Sequence, residues 1–206
     1  MWFGVSDYTA FVIAIVVLLA LPGPGNLALI VATGKGGLRA GLAATLGVII
    51  GDQLLLWSAV IGLSALMAAH PSILTVIQIV GAVYLVWLGV QLLRANTSAL
   101  PIIQMRGKDY AKQTLIITLL NPKAIMFYMA FFPLFIDPKH HQGVTTFAVM
   151  AVTIAVLTLI YGAIVSSLTL RFSQTINDSE KIRKWLERTA GILLILFGIH
   201  LMFSRL

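Results

Sequence analysis

The run LALPGPGNLALI, residues 19 to 30, decides how the chain is read. It lies inside the first long apolar stretch, where an uninterrupted membrane anchor would carry only helix formers. Instead it places Pro22, Gly23, Pro24, Gly25 and Asn26 in succession. Proline has no backbone donor and clashes with the preceding turn, while glycine frees the backbone to change direction. A break here bares carbonyl and amide groups at membrane depth, which is tolerated only where they are buried in protein or line a wet cavity. One proline suffices for a kink, so the whole motif points to a purpose beyond bending.

The surrounding composition makes the membrane setting firm. Of 206 residues, 59% are hydrophobic and 10% charged, and the mean hydropathy is +0.98, outside the range of soluble domains. There is no cysteine, so neither disulfides nor thiolate metal sites enter the reading. The net charge of +7 sits in loops and lacks the aromatic-interleaved basic stripe of a nucleic-acid binder. No nucleic-acid partner and no cofactor is expected. The opening MWFGVSDY has Asp7 and no basic residue, unlike a secretory signal, so the first segment is expected to be retained.

A spanning helix needs about 20 apolar residues to cross about 30 Å of hydrocarbon. Six stretches qualify, at 8–33, 38–67, 72–94, 113–136, 143–170 and 189–205, with the second and fifth extending beyond the bilayer. Runs of this kind lack the alternation of a barrel, so an all-α membrane protein is expected. Eleven of the fourteen Lys and Arg fall in the connections after spans one, three and five; Lys139 and Arg205 lie on the other side and Lys123 inside a span. Basic connections favour the cytoplasm, which places both termini outside. The rival is a five-span chain whose broken first segment does not cross. Trp2, Tyr8 and Trp185 fit an interfacial aromatic belt. KIRKWLER, within 171–188, reads either as a surface amphipathic helix or as a solvated, topology-setting loop.

Three spans per half make the halves, 1–95 and 112–206, candidates for an inverted 3+3 repeat joined by a cytoplasmic linker, 96–111, in one transmembrane domain. The support is the placement of helix breakers. The first helix is broken at PGPGN and the fourth at TLLNPKAIMFY, through Asn121 and Pro122. Breaks at matching places point to a transporter's substrate site. Amides at the start of a half-helix suit a carboxylate, and carbonyls at the end of the preceding half suit an ammonium.

The second span adds an intramembrane acid. Asp52 lies fourteen residues beyond Leu38, about 21 Å at about 1.5 Å per residue. A carboxylate there faces the bundle interior, to pair with a cation, carry a proton or contact substrate. Lys123, in the fourth span, either pairs with it or snorkels inward. Gly37, Gly41, Ala44, Gly47 and Gly51 let a helix approach closely, whether from the same chain or from a second copy in a homodimer. Thr153 and Thr158 fall where a repeat-related counterpart of Asp52 would lie. His140 and His141 lack companion ligands, and His70 and His200 are interfacial, so no metal site is expected. No nucleophile motif or phosphate loop argues for an enzyme or a nucleotide-driven pump.

PGPGN, KGGLRAGLAATLGVIIGD, IVGAVYLVWLGVQLLRA and TLLNPKAIMFYMAFFPLFID, in this order across essentially the whole chain, resemble the LysE/RhtB family of bacterial amino-acid exporters. The resemblance implies a proton-driven carrier of the bacterial inner membrane that moves amino acids outward, with the neutral branch (threonine, homoserine, leucine, methionine) more similar than the basic one. It carries Pro22, Gly23, Pro24, Gly51, Asp52, Asn121, Pro122 and Lys123 onto family motifs. Gly25 departs from the pattern, standing where members commonly place Asn or Asp, and Asn26 follows it. The expected substrate set is therefore Pro22, Gly23, Pro24, Gly25, Asn26, Asp52, Asn121, Pro122 and Lys123, with Asp52 also coupling to protons. Export of metal cations and intramembrane catalysis are the alternatives; a cluster of intramembrane acids would mark the first, and a nucleophile at depth the second.

Overall fold

The computed structural model describes residues 3–21, 23–69, 105, 109–136 and 142–172, with isolated helical positions between 79 and 94 and between 188 and 199. The third and sixth expected spans lie largely outside the described residues, as do Pro22, the basic connections around 96–108 and 173–187, Trp2, Trp185, and all four histidines.

The described chain is helical. Helix α1 is Tyr8–Ala20, α2 is Pro24–Ala69, α3 is Tyr110–Leu119, α4 is Pro122–Met126 and α5 is Val144–Phe172. A π-helical turn, Phe127–Phe131, and a 3-10 turn, Phe132–Phe135, continue α4. Asp7 caps α1 by accepting from the Ala10 amide at 2.9 Å, and Asp109 caps α3. Helix α2 is two arms, 24–36 and 38–69, meeting at Gly37, whose φ of 70° and ψ of −166° only glycine adopts readily. Gly37 was expected among the small packing residues; it is instead the turn between the first two spans, and nothing lies within 4 Å of where its Cβ would be.

The remaining small residues do pack helices within the chain. A Cβ on Gly47 would run into the Ala111 carbonyl, one on Gly51 into Thr118, and one on Gly41 into Ser166 and Thr33. The second arm of α2 therefore lies directly against α3 and α5. Outward, α5 exposes Val152, Val156, Leu159, Ile160, Ile164 and Leu168, the face a lipid solvent requires. By length and composition Pro24–Gly62, which the Gly37 turn divides, and Val144–Arg171 are apolar enough to cross a membrane.

The two broken segments run antiparallel. Val5 bridges Ile136, and the Ser6 amide donates to the Phe135 carbonyl at 2.9 Å. At the other end Gly36 abuts the Tyr110 ring. Thus 5–36 and 110–136 cover the same thickness in opposite directions. Two apolar clusters fill the two ends: Phe11, Ile15, Leu21, Leu56, Phe127, Tyr128, Phe132 and Met150 belong to one, and Ala28, Leu29, Ala32, Ala40, Ala44 and Met105 to the other. Both helix breaks, Asp52 and Thr158 fall between them along their respective elements.

Candidate substrate site at the meeting of two helix breaks

Helix α1 ends because Pro22 and Pro24 cannot supply the amides that Leu18 and Ala20 would need four residues on. Leu21, at ψ 119°, is already extended. The interruption is shorter than PGPGN suggests: helix resumes at Pro24, and Gly23 accepts the first returning bond, from the Leu27 amide at 3.1 Å. Pro24 at the first helical position is favourable because its missing donor would be unpaired there anyway. Gly25 and Asn26 therefore lie in the first turn of α2 rather than in an unwound loop.

The second break is shorter still. Leu120 and Asn121 leave the helix, and Pro122 opens α4 with Asn121 as its cap, the Asn121 side chain accepting from the Lys123 amide at 3.1 Å. Pro122 and Lys123 are thus helical, which moves the unwound point one residue earlier than the motif implies.

Carbonyls freed by the first break are not empty. The Asn26 amide donates to the Leu19 carbonyl at 2.8 Å and the Leu21 carbonyl at 2.9 Å. From the other half of the chain, the Lys123 ammonium donates to Leu18 at 3.1 Å and Leu21 at 2.9 Å. The expectation that these carbonyls stand bare is corrected: the protein's own donors hold them, because buried carbonyls left unpaired cost about 1–3 kcal/mol each. Gly23 leaves room for this approach, since a Cβ there would lie 3.3 Å from the Lys123 Nζ.

Asp52 sits beside this junction, buried, with Lys123 in its electrostatic field and the Tyr128 hydroxyl as a hydrogen-bond partner. The Thr158 hydroxyl also faces the carboxylate, yet it makes no hydrogen bond of good geometry, as is true of the buried Thr118 hydroxyl. Thr158 is therefore a neighbour of Asp52. Thr153 is engaged elsewhere, with Tyr8 at 2.8 Å.

Of the expected site, Gly23, Asn26, Asn121 and Lys123 come together at the junction and Asp52 adjoins them. Gly25 does not join, with nothing within 4 Å of its would-be Cβ. Tyr128 and Thr158 complete the surroundings of Asp52. Tyr128 gives little signal in the aromatic run FYMAFF; the π turn that carries it is a feature frequent at functional sites.

A family model described as LysE type translocator matches residues 16–205. An uncharacterized membrane protein of Pseudomonas aeruginosa is 27% identical, over 96% of this chain and 95% of its own. The leucine efflux protein of Enterobacter sp. (strain 638) is 29% identical over 97% and 96%. That of Klebsiella pneumoniae is 34% identical over 77% of each chain. No solved structure matches.

Proposed function

The chain belongs to the LysE type translocator family, and from that premise we propose that it exports free neutral amino acids across the bacterial inner membrane as a proton-coupled secondary carrier. The observation that carries this reading is the junction itself: two helix breaks from antiparallel segments meet beside a buried carboxylate, in a polar layer between two apolar clusters. Such a layer is where alternating access can be pivoted. Relatives named leucine efflux protein support the substrate class.

In this reading six spans form a 3+3 inverted repeat within a single domain, and the antiparallel course of 5–36 and 110–136 is what an inverted pair requires. Both termini face outward. Lys35, Arg39, Lys112 and Arg171 lie toward the Gly37 end, opposite residues 3–6, and that end is the cytoplasmic one. Substrate carboxylate meets amides near Gly23 to Asn26 or the Lys123 ammonium; substrate ammonium meets Asp52 or the carbonyls before Pro22. Asn121 and Pro122 shape the second wall. Asp52 carries the coupled proton, and one charge crossing 100 mV is worth about 2.3 kcal/mol.

The test is efflux from cells or inverted vesicles loaded with a panel of labelled amino acids, dipeptides and metal ions, with and without the protein. Export of neutral amino acids that weakens when the pH gradient is collapsed is expected. Movement of a metal alone overturns the assignment, and an Asp52→Asn protein with unchanged rate and gradient dependence removes Asp52 from coupling.

A further inference from the structure

We propose that the Leu18 and Leu21 carbonyls form a primary-ammonium site, that Lys123 fills it as a tethered occupant, and that the α-ammonium of a transported amino acid enters by displacing Lys123. The inference rests on the reading that substrate binds between the two breaks.

Three features of the site argue for an ammonium. The carbonyls terminate α1, so they carry the partial negative charge of a helix C-terminus. Pro22 removes the amide that would otherwise recapture Leu18, so that carbonyl keeps needing a donor from outside its own helix. Gly23 leaves open the space in which the ammonium sits, 3.3 Å from where a Cβ would project. Asn26 donates to Leu19 and Leu21 alongside Lys123, so on displacement of the lysine the cradle would keep a donor of its own.

Exchange is chemically even. A lysine ε-ammonium and an amino acid's α-ammonium present the same –NH3⁺ on a tetrahedral carbon. Swapping one for the other preserves both hydrogen bonds and avoids an intermediate with a bare Leu18 carbonyl. The displaced Lys123 does not become a stranded charge, because Asp52 lies within its field and the arriving carboxylate adds a second partner. An ammonium-free molecule has nothing to offer the cradle and leaves Lys123 in place.

Two measurements test this. On the wild-type protein, efflux of the best-exported labelled amino acid is challenged with its decarboxylated amine and with its N-acetyl form; the amine should compete and the N-acetyl form should not. On purified Lys123→Ala, ethylammonium should raise the melting temperature by about 2–4 °C, tetramethylammonium should not, and the wild type, where ethylammonium must first displace Lys123, should respond less than the variant at the same concentration. Equal competition by the N-acetyl form, or a folded Lys123→Ala indifferent to ethylammonium, overturns the proposal. Where Lys123→Ala does not fold, the competition decides alone. If no amino acid is exported while ethylammonium still stabilises Lys123→Ala, the ammonium site stands and the transport reading falls. If export is robust and neither test responds, the reverse holds.

Discussion

Asn26 and Lys123 divide one task, since each donates to the Leu21 carbonyl and each takes one further carbonyl at the end of α1, Leu19 for Asn26 and, for Lys123, the Leu18 carbonyl that Pro22 leaves without an amide. Their replacements should therefore differ in kind. Asn26→Leu keeps side-chain volume but strips the Leu19 carbonyl of its donor, and it should destabilise the protein by about 1–3 kcal/mol in denaturant or thermal unfolding; unchanged stability would mean that water reaches the break freely. Tyr128→Phe keeps the ring in its apolar cluster and removes only the hydroxyl that faces Asp52. A hydrogen bond to a charged group is worth about 1.5–3 kcal/mol, so proton-coupled efflux should fall about tenfold while the protein accumulates normally; efflux with wild-type rate and gradient dependence would leave the hydroxyl without a role. At this scale Asp52 and Lys123 were legible because an ionisable residue within an apolar run is costly and must be explained. Tyr128 was not, because an aromatic run is equally good packing and its carboxylate partner sits on a different helix.

Among the elements, the glycines of α2 separate by mechanism. Gly37 has open space around it and is needed only for its φ of 70°, so Gly37→Ala should cost about 1–3 kcal/mol through backbone strain. Gly34, three residues earlier in ordinary helix with nothing within 4 Å of its would-be Cβ, should instead gain about 0.5–1 kcal/mol as Gly34→Ala. Melting curves of the two variants should move in opposite directions; parallel shifts would contradict the turn. Sequence spacing marked Gly37, Gly41, Gly47 and Gly51 as small surfaces for helix approach, correctly for Gly41, Gly47 and Gly51. The exception could not be seen because a required positive φ leaves no trace in hydropathy. Break lengths were overestimated for a related reason: proline reads as a breaker wherever it occurs, yet Pro24 and Pro122 each open a helix, where their missing amide costs nothing.

Across the whole molecule, the polar layer between the two apolar clusters depends on segments far apart in sequence turning antiparallel. The breaker positions gave no direction to that pairing; the contacts of Val5 with Ile136 and of Gly36 with Tyr110 do. The chain has no cysteine, which makes introduced thiols unambiguous reporters. A membrane-impermeant thiol reagent should label Gln142→Cys in intact cells and Gly34→Cys only after permeabilisation; the opposite pattern would invert the proposed orientation. The meeting of the two breaks is tested most directly by Gly23→Cys combined with Lys123→Cys, treated in membranes with a bifunctional thiol reagent of two-carbon span. A Cβ at position 23 lies 3.6 Å from the Lys123 Cε, so the account predicts an intramolecular bridge between the two thiols. Separate single modification of each cysteine, with no bridge, would contradict it.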